Sequence, residues 1–408
     1  MNQLPELLAP AGDFESLRAA IDYGADAVYL GAAQFGMRAS AAKFGGENLR
    51  RAVQLAHEKN VRVYLTCNTF ARNAEVRELP AFLSHARDCG VDALIVADLG
   101  IMMEARRLVP EIELHVSTQA GVVNYQTACH LYQLGASRVV LARELSLAEI
   151  AEIRRNTPPE LELECFVHGA MCMSVSGRCL LSHYLTGRDA NRGECAQPCR
   201  WGYHLVEEKR PGQYFPIYEE DGVSYILNAR DLCMIEYLDQ LASAGVSSFK
   251  IEGRAKSAYY TASVTAAYRA ALEQYRSEPQ RYRPEQWVLD EVHKVSHRPY
   301  STGFYFSTPE QVLESGGYQR AWEVAAAVDG WEDGWLICTQ RNKFLLGDTL
   351  EVLQPHKPPV SLKVERMLSE TGEEIAMANH AMMRVKIACD TPFAPGCMLR
   401  KPRGGVPE

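Results

Sequence analysis

The sequence lacks any apolar run of the length needed to cross a lipid bilayer, which is about 18 residues or more. Its first residues, MNQLPELLAPAGDF, also lack the basic start and apolar centre of a secretory signal. These absences predict a cytoplasmic protein with no membrane partner. In a reducing compartment, clustered cysteines are more often metal ligands or redox groups than disulfides.

Several enzyme motifs are missing as well. The chain has no Gly-rich dinucleotide loop, no HExxH zinc motif and no GxSxG nucleophile elbow. These absences count against a dinucleotide-binding sheet and against the common peptidase mechanisms. The net charge of -8 neither indicates nor excludes a nucleic-acid partner, because local basic patches determine such binding.

The first two thirds of the 408 residues alternate short β-rich runs with amphipathic helical stretches. The eight runs are residues 6–12, 26–32, 61–68, 91–98, 112–119, 137–144, 161–169 and 247–254. Eight strand–helix units predict an α/β fold, a (β/α)8 TIM-like barrel. A doubly wound open sheet is the alternative, but the missing dinucleotide loop favours the barrel.

The pattern divides the chain into three parts. Residues 1–280 form the predicted barrel, including a Cys-rich insertion at 169–228 after the seventh strand. Residues 281–320 are predicted to be a linker and helical segment. Short alternating runs separated by turns from 321 to 408 predict a small β-barrel-like domain.

Polar residues occupy the ends of the predicted barrel strands, where barrel enzymes place their active sites. Period-two alternation puts Glu164 and His168 on one face of the seventh strand, and Lys250 and Glu252 on one face of the eighth. We expect these faces to point into the barrel mouth, and we predict catalytic roles for these four residues. In the alternative, Lys250 and Glu252 form a buried structural ion pair.

Half of the twelve cysteines lie between Cys165 and Cys233. Four of them are spaced Cys172-x6-Cys179-x15-Cys195-x3-Cys199, among Gly and Arg residues. This spacing matches neither zinc knuckles nor common ferredoxin runs, which use tight C-x2-C pairs. Four thiolates still favour a metal or cluster site over free core cysteines, and leave both a 4Fe-4S cluster and zinc open.

Residues 164–182, with the pattern E-x-F-x-x-G-A-M-C-x4-G-x-C-x-L-S, match position for position the signature of the collagenase-like peptidase family U-32. Blocks along nearly the whole chain, such as FKIEGRAKSAYY and HRPYSTGFYF, also resemble that family. Within it, the chain is most similar to the branch that uses prephenate and an iron–sulfur cluster to install 5-hydroxyuridine at the wobble position of tRNA. Relatives hydroxylate an rRNA cytidine or a quinone precursor.

The resemblance implies a 4Fe-4S cluster bound by Cys172, Cys179, Cys195 and a fourth cysteine. Cys199 matches the tRNA-type pattern, whereas quinone-type relatives take a cysteine further downstream, for which Cys233 is the candidate. The fourth ligand is therefore open between these two.

The resemblance also implies prephenate as a co-substrate, and this dicarboxylate calls for guanidinium groups. The candidates are Arg143, Arg178 and Arg254, with Gln119 as a further substrate-binding residue. Each arginine could instead be a structural partner of a neighbouring glutamate.

For tRNA, residues 250–298 carry nine Lys or Arg against six acidic residues, interleaved with tyrosines. This composition suits RNA contact, although solvated helix faces with core tyrosines would look the same.

Two other function classes stay open. A peptidase could use Cys172 with His168 or His183, but a thiolate bound to iron cannot also be a free nucleophile. An RNA-binding protein with a structural cluster would bind tRNA without modifying it. Oxidising a pyrimidine carbon is beyond any side-chain acid or base, so the hydroxylase hypothesis accounts best for the cysteines.

Overall fold

The computed structural model describes residues 4–32, 34–36, 44–171, 181–188, 194–198, 205–206, 214–215, 219–220, 223–224, 230–307 and 318–403. Within these ranges a closed parallel barrel is formed by β1 (Glu6–Ala11), β2 (Ala27–Gly31), β3 (Arg62–Cys67), β4 (Ala93–Val96), β5 (Glu113–Val116), β6 (Arg138–Val140), β7 (Glu162–Gly169) and β13 (Ser248–Ile251). The sheet closes because β13 pairs in parallel with both β1 and β7. The predicted TIM-like barrel is confirmed.

Helices surround this barrel. They are α1 (Phe14–Asp22), α2 (Glu47–His57), α3 (Asn73–Val76), α4 (Leu79–Asp88), α5 (Leu99–Leu108), α6 (Tyr125–Gln133), α7 (Leu147–Arg155), α8 (Leu181–Thr186), α9 (Leu238–Ser243), α10 (Ala258–Ser277) and α11 (Gln286–His293). Capping side chains define several starts: Asp13 accepts a hydrogen bond from the Ser16 amide, and Ser146 forms a capping box with Glu149. None of the helices in the described ranges is long and apolar enough to span a membrane.

Short strands follow the seventh barrel strand. β8 (Leu205–Val206) pairs with β9 (Tyr214–Phe215), and β10 (Glu219–Glu220) pairs with β11 (Val223–Ser224). β12 (Asp231–Cys233) lies antiparallel to the end of β7, and β14 (Tyr300–Ser301) continues the sheet beside β12. The 281–320 segment therefore contains both a helix and a short strand.

The C-terminal domain is antiparallel throughout its described part. Its strands are β15 (Trp322–Glu332), β16 (Trp335–Gln340), β17 (Phe344–Leu345), β18 (Thr349–Gln354), β19 (Lys357–Lys363), β20 (Met367–Ser369), β21 (Met377–Ala378), β22 (Arg384–Ala388) and β23 (Met398–Pro402). Seven of them form one sheet in the order β19-β18-β23-β15-β16-β22-β20. Their alternate residues enclose a separate apolar core. The predicted all-β domain is confirmed.

A buried charge network joins this domain to the barrel helices. The guanidinium of Arg400, on β23, contacts the carboxylates of Glu291 on α11 and Glu351 on β18, and both Arg400 and Glu291 are fully buried. Lys294 donates to Glu351 at 2.8 Å. The hydroxyl of Tyr23, the residue that follows α1, donates to backbone carbonyls of the β domain at 3.1 Å. Since buried charges are stable only when paired, these contacts hold the two domains in one arrangement.

Removing one carboxylate of this network is expected to destabilise the whole protein. We expect Glu291→Ala to lower the free energy of unfolding by about 3 kcal/mol, because it leaves the buried Arg400 with an incomplete set of partners. The combined Glu291→Leu and Arg400→Met replacement should recover most of that loss, since it removes both charges. Urea denaturation measures all three proteins.

The matched control is Glu374→Ala, which removes an exposed pair with Arg366 (3.0 Å) and should cost less than about 1 kcal/mol. Equal losses for Glu291→Ala and Glu374→Ala would show that the buried network does not contribute as argued.

Candidate functional site

Charged side chains fill the barrel interior near the amino ends of its strands. Arg138 on β6 contacts Glu6 on β1 at 2.6 Å, Glu162 on β7 at 2.6 Å and Glu164 at 3.0 Å. Glu164 also accepts from Lys250 Nζ on β13 at 2.6 Å. The network therefore connects β6 to the three strands at which the barrel closes, β7, β13 and β1.

Glu164 and Lys250 point into the barrel as predicted, but they lie inside it rather than at its open end, with 0% and 4% of their surface exposed. The structural ion pair considered from the sequence does exist, but the partner of Lys250 is Glu164 and not Glu252. Burial alone would raise the pKa of Glu164, but the charges of Lys250 and Arg138 outweigh it and lower the pKa to about 2. Glu164 is therefore ionised at neutral pH. Catalytic roles for these two residues stay predictions.

Above this network, the mouth is lined by hydrogen-bonding and aromatic groups. Arg254 follows β13, donates to Thr66 Oγ1 at 2.8 Å and lies 5.6 Å from the ring centre of Tyr29. A Cβ at Gly31 would lie 2.9 Å from the Arg254 guanidinium, so a larger residue there would push the end of that side chain aside. The amide of Asn68 approaches Ser117 Oγ at 3.5 Å. The structure thus places predicted Arg254 at the mouth.

Arg143 stands on the opposite side of the mouth, at the end of β6. Its guanidinium donates to the carbonyl of Ala170 at 2.8 Å and lies 4.9 Å from the ring centre of Phe166. Among the residues that the structure describes, Arg143 forms no ion pair, so Glu144 is not its partner. Arg143 therefore secures the first residues after β7 while bringing an uncompensated positive charge to the mouth.

Two buried oxygen atoms near the mouth have no hydrogen-bond partner in the described part of the chain. They are Oε1 of Gln119, in the short 3-10 turn Thr118–Ala120 after β5, and Oε2 of Glu144. A buried acceptor without a donor costs free energy, and a bound ligand with N–H or O–H groups would remove that cost. A substrate-binding role for Gln119 stays a prediction.

The prediction that His168 points into the barrel mouth is wrong. A β-bulge shifts the register of β7 against β13, so that Phe166 pairs with Lys250 but His168 pairs with Ile251. The extra residue turns the His168 ring to the outer side of the barrel. There it lies among tyrosines, 3.4 Å from the hydroxyls of Tyr268 and Tyr300. The ring therefore faces α10 and β14 and not the mouth, and a catalytic role for His168 stays a prediction.

Glu252 lies half-buried where the chain leaves β13. Its backbone N–H donates to the His168 carbonyl at 2.8 Å, and its own carbonyl accepts from the Tyr260 hydroxyl at 2.9 Å. These bonds fix the start of the loop that carries Arg254. A catalytic role for the Glu252 carboxylate stays a prediction.

The predicted cluster ligands are only partly visible. Cys172, Cys179 and Cys199 lie outside the described residues, as does Arg178. Cys195 is exposed, and its sulfur accepts a hydrogen bond from the Gln197 amide at 3.3 Å. Within the described ranges, His, Cys, Asp and Glu side chains form no group of three that could hold a metal ion.

Cys233, the alternative fourth ligand, has a different environment. Its sulfur lies 3.9 Å from the hydroxyl of Tyr268, on the same outer side of the barrel as His168. Burial raises the pKa of the Cys233 thiol to about 11, so the neutral thiol is favoured there.

Arg138 is the main interior residue that the sequence interpretation missed. The available signal was a charged residue inside an otherwise apolar run, Arg138-Val139-Val140, which implies a buried carboxylate partner. Which carboxylates would meet it depends on barrel closure and could not be inferred locally.

His168 makes a prediction about pH. Burial lowers the pKa of its ring to about 3, and the charges of His297 and Lys256 add to the effect. An unfolded histidine has a pKa of about 6.5, so between these values only the unfolded chain binds the proton and stability falls as the pH falls. Between pH 7 and pH 5 we expect the free energy of unfolding to fall by about 2 kcal/mol more in the wild type than in His168→Gln.

Thermal or urea unfolding at several pH values measures this difference in slope. The control is His130→Gln, which replaces an exposed histidine on α6 and should leave the pH dependence unchanged. Parallel pH curves for the wild type and His168→Gln would contradict a neutral His168.

Comparison with known proteins extends over the whole described fold. The model of peptidase family U32 matches residues 12–315, and that of the peptidase family U32 C-terminal domain matches residues 320–400. The tRNA hydroxylation protein P1 of Bacillus subtilis is 36% identical over 402 residues, covering 97% of this chain and 94% of that protein.

Two further relatives carry different names. The 23S rRNA 5-hydroxycytidine C2501 synthase of Escherichia coli is 40% identical over 268 residues, 66% of this chain and 39% of its own length. A collagenase of Porphyromonas gingivalis is 37% identical over 280 residues, 66% of both chains. With a family model that covers the barrel and a second that covers the β domain, the chain belongs to peptidase family U32.

Proposed function

We propose that this protein hydroxylates carbon 5 of the wobble uridine in tRNA, with prephenate as co-substrate and a 4Fe-4S cluster as cofactor. The observation that carries the proposal is the similarity to a tRNA hydroxylation protein along 97% of the chain, through both the barrel and the β domain. The rRNA synthase and the collagenase each match only two thirds of this chain. The tRNA assignment therefore accounts for more of the molecule.

The environment of Cys195 suits a cluster ligand. Its sulfur is exposed, so iron can reach it, and it accepts an amide N–H hydrogen bond from Gln197. In the proposal Cys172, Cys179, Cys195 and Cys199 hold the cluster. Cys199 is included because it matches the tRNA-type pattern, and Cys233, 3.9 Å from the Tyr268 hydroxyl, is the alternative fourth ligand. The cluster would supply the electron transfer that no side chain can perform.

The mouth suits a small dianion such as prephenate. Arg143 and Arg254 bring guanidinium groups to the mouth, and Arg143 has no carboxylate partner among the described residues. The oxygen of Gln119 could accept the hydroxyl of the ligand. Below them, the Lys250–Glu164 pair closes the interior and holds Lys250 near the rings of Tyr29 and Phe166. In this arrangement the arginines bind and orient the co-substrate.

Nucleoside mass spectrometry of tRNA tests the function. A strain that lacks this gene is expected to lose 5-hydroxyuridine derivatives and to regain them when the wild-type protein is supplied. Cys195→Ala should fail to restore them, whereas Cys129→Ala, at a cysteine on α6 remote from the cluster segment, should succeed. Unchanged derivatives in the deletion strain, with parallel pathways also deleted, would reject the proposal.

The cluster has its own test. Protein purified without oxygen is expected to contain iron and acid-labile sulfide and to show charge-transfer absorbance. Cys195→Ala should lose most of the iron, the sulfide and the absorbance. Cys129→Ala again serves as the control. A zinc-only protein, or equal iron content in Cys195→Ala, would contradict the assignment.

Arg143 provides a test of prephenate binding. A charge-assisted hydrogen bond contributes about 1.5–3 kcal/mol, so Arg143→Gln should raise the KM for prephenate by about tenfold or more. The control is Arg155→Gln, at the exposed end of α7, where the KM should not change. An unchanged KM in Arg143→Gln would place prephenate elsewhere.

Peptidase activity is the second candidate, because one relative is named a collagenase. His168 is buried against Tyr268 and Tyr300, whereas His183, the other candidate base, is exposed on α8. Gelatin cleavage by the purified protein, retained in a cluster-free preparation, would favour this candidate over hydroxylation.

A further inference from the structure

A groove lies where the barrel meets the C-terminal domain. It has a volume of about 350 Å³ and is bounded by the loop between β13 and α10 on one side and by the start of β15 on the other. We call it the junction groove and define it by Lys256, Tyr260, Tyr318, Arg320, Trp322 and Arg403. The hydroxylation site proposed above does not include it.

The groove is strongly cationic. Lys256, Arg320 and Arg403 line it, and no acidic residue belongs to its described lining, although the whole chain carries a net charge of -8. Arg320 is exposed and forms no ion pair in the described part of the chain. Arg403 lies 3.6 Å from Glu323, a partly exposed contact that contributes little. The local potential therefore favours an anionic partner.

Aromatic rings alternate with these charges. The ammonium of Lys256 lies 4.4 Å from the ring centre of Tyr318 and 5.3 Å from that of Tyr260. Trp322 is half-buried, so part of its indole surface faces the groove. Cations that can contact phosphates, placed beside rings on which bases can stack, are the combination by which proteins hold single-stranded RNA. An acidic peptide would use the charges alone, whereas RNA would use the charges and also the ring surface that Lys256, Lys294 and Arg400 leave open.

The groove is continuous with the barrel mouth through a short stretch of chain. Arg254 reaches over the mouth to Thr66, and Lys256, two residues later, lines the groove. Two residues span at most about 7 Å, so the backbone positions of Arg254 and Lys256 adjoin, while their side chains extend to different partners, Thr66 and Ser296. Lys256 is anchored by donating to the Ser296 carbonyl at 3.2 Å. The loop that carries both residues thus places the groove next to the mouth along the chain.

We propose that the junction groove binds the RNA strand that flanks the nucleotide held in the barrel mouth. The arginines and Lys256 contact phosphates, and Trp322 and Tyr318 stack on neighbouring bases. The identity of that RNA as tRNA rests on the proposed function. The docked β domain is then part of the substrate site, because Trp322 and Arg403 belong to it.

Binding of an unmodified tRNA transcript to the full-length, cluster-loaded protein tests this inference. We expect the double variant Arg320→Ala/Arg403→Ala to weaken the Kd by about tenfold at low salt. The slope of log K against log salt should become shallower by about 1.4, which is about 0.7 for each of the two lost phosphate contacts with a single strand. Binding needs no turnover, so the measurement is independent of hydroxylation.

The matched control is Arg155→Ala, which removes an exposed arginine at the end of α7, at the opposite end of the barrel from the mouth. It should retain the wild-type Kd and slope. Unfolding midpoints of both variants equal to the wild type would exclude misfolding as the cause of weaker binding.

The possible results separate the two proposals. Wild-type Kd and slope in the double variant would overturn the groove assignment, even if the protein makes 5-hydroxyuridine. Weakened binding in the double variant would support it, even if no 5-hydroxyuridine is formed and the proposed function fails. Poly-glutamate that displaces the transcript at equal charge concentration would also overturn it, because an acidic protein segment would then be the better occupant.

Discussion

The ion pairs of Arg138 and Lys250 with Glu164 are the interaction on which the barrel depends. The carboxylate and the two cations lie inside the barrel, where an unpaired charge would cost several kcal/mol. Their strands are β6, β7 and β13, and Glu6 adds β1 to the same network. The charges can be satisfied only when β13 closes the sheet between β7 and β1. The network thus selects the closed, correctly registered barrel over open or shifted arrangements.

The same closure decides what stands at the mouth. With the interior filled by paired charges and by the rings of Tyr29 and Tyr64, a ligand is limited to the space above Lys250. Arg254 and Arg143 reach that space from opposite sides, and Arg143 also binds Ala170, where the chain leaves β7 toward the cysteines. Arg143 thereby joins the mouth to Ala170, which precedes the cysteine-rich segment in the sequence. The proposed reaction would require the cluster ligands to lie near this point.

The β domain extends this arrangement. Its buried Arg400 and the Tyr23 contacts fix it against α1, α10 and α11, and this docking forms the junction groove beside the loop that carries Arg254. Neither domain alone contains the cations and rings of the groove. Interdomain packing, which the local pattern does not reveal, therefore creates a surface that is absent from each part.

Local pattern was sufficient for the architecture. The eight β-rich runs each contain one barrel strand, because alternation and turn residues act over a few residues. The alternating segments after residue 321 likewise became the β domain. The position of Arg254 at the mouth followed from the rule that loops after parallel strands gather at one end.

Tertiary structure determined the ion-pair partners of Lys250 and Arg138 and the orientation of His168. Strict alternation placed His168 in the mouth, but a single bulged residue reversed its side, because each one-residue shift turns a strand's side chains to the other face. Lys250 forms its ion pair with Glu164 on the neighbouring strand β7. It does not pair with Glu252, which is close in sequence but lies beyond the end of β13. Arg138 pairs with Glu6, which lies more than a hundred residues away in the sequence. Thus the sequence by itself determined the helices and strands and their order. Closure of the barrel and docking of the domains determined which charged residues pair, because pairing across strands depends on register and not on distance along the chain.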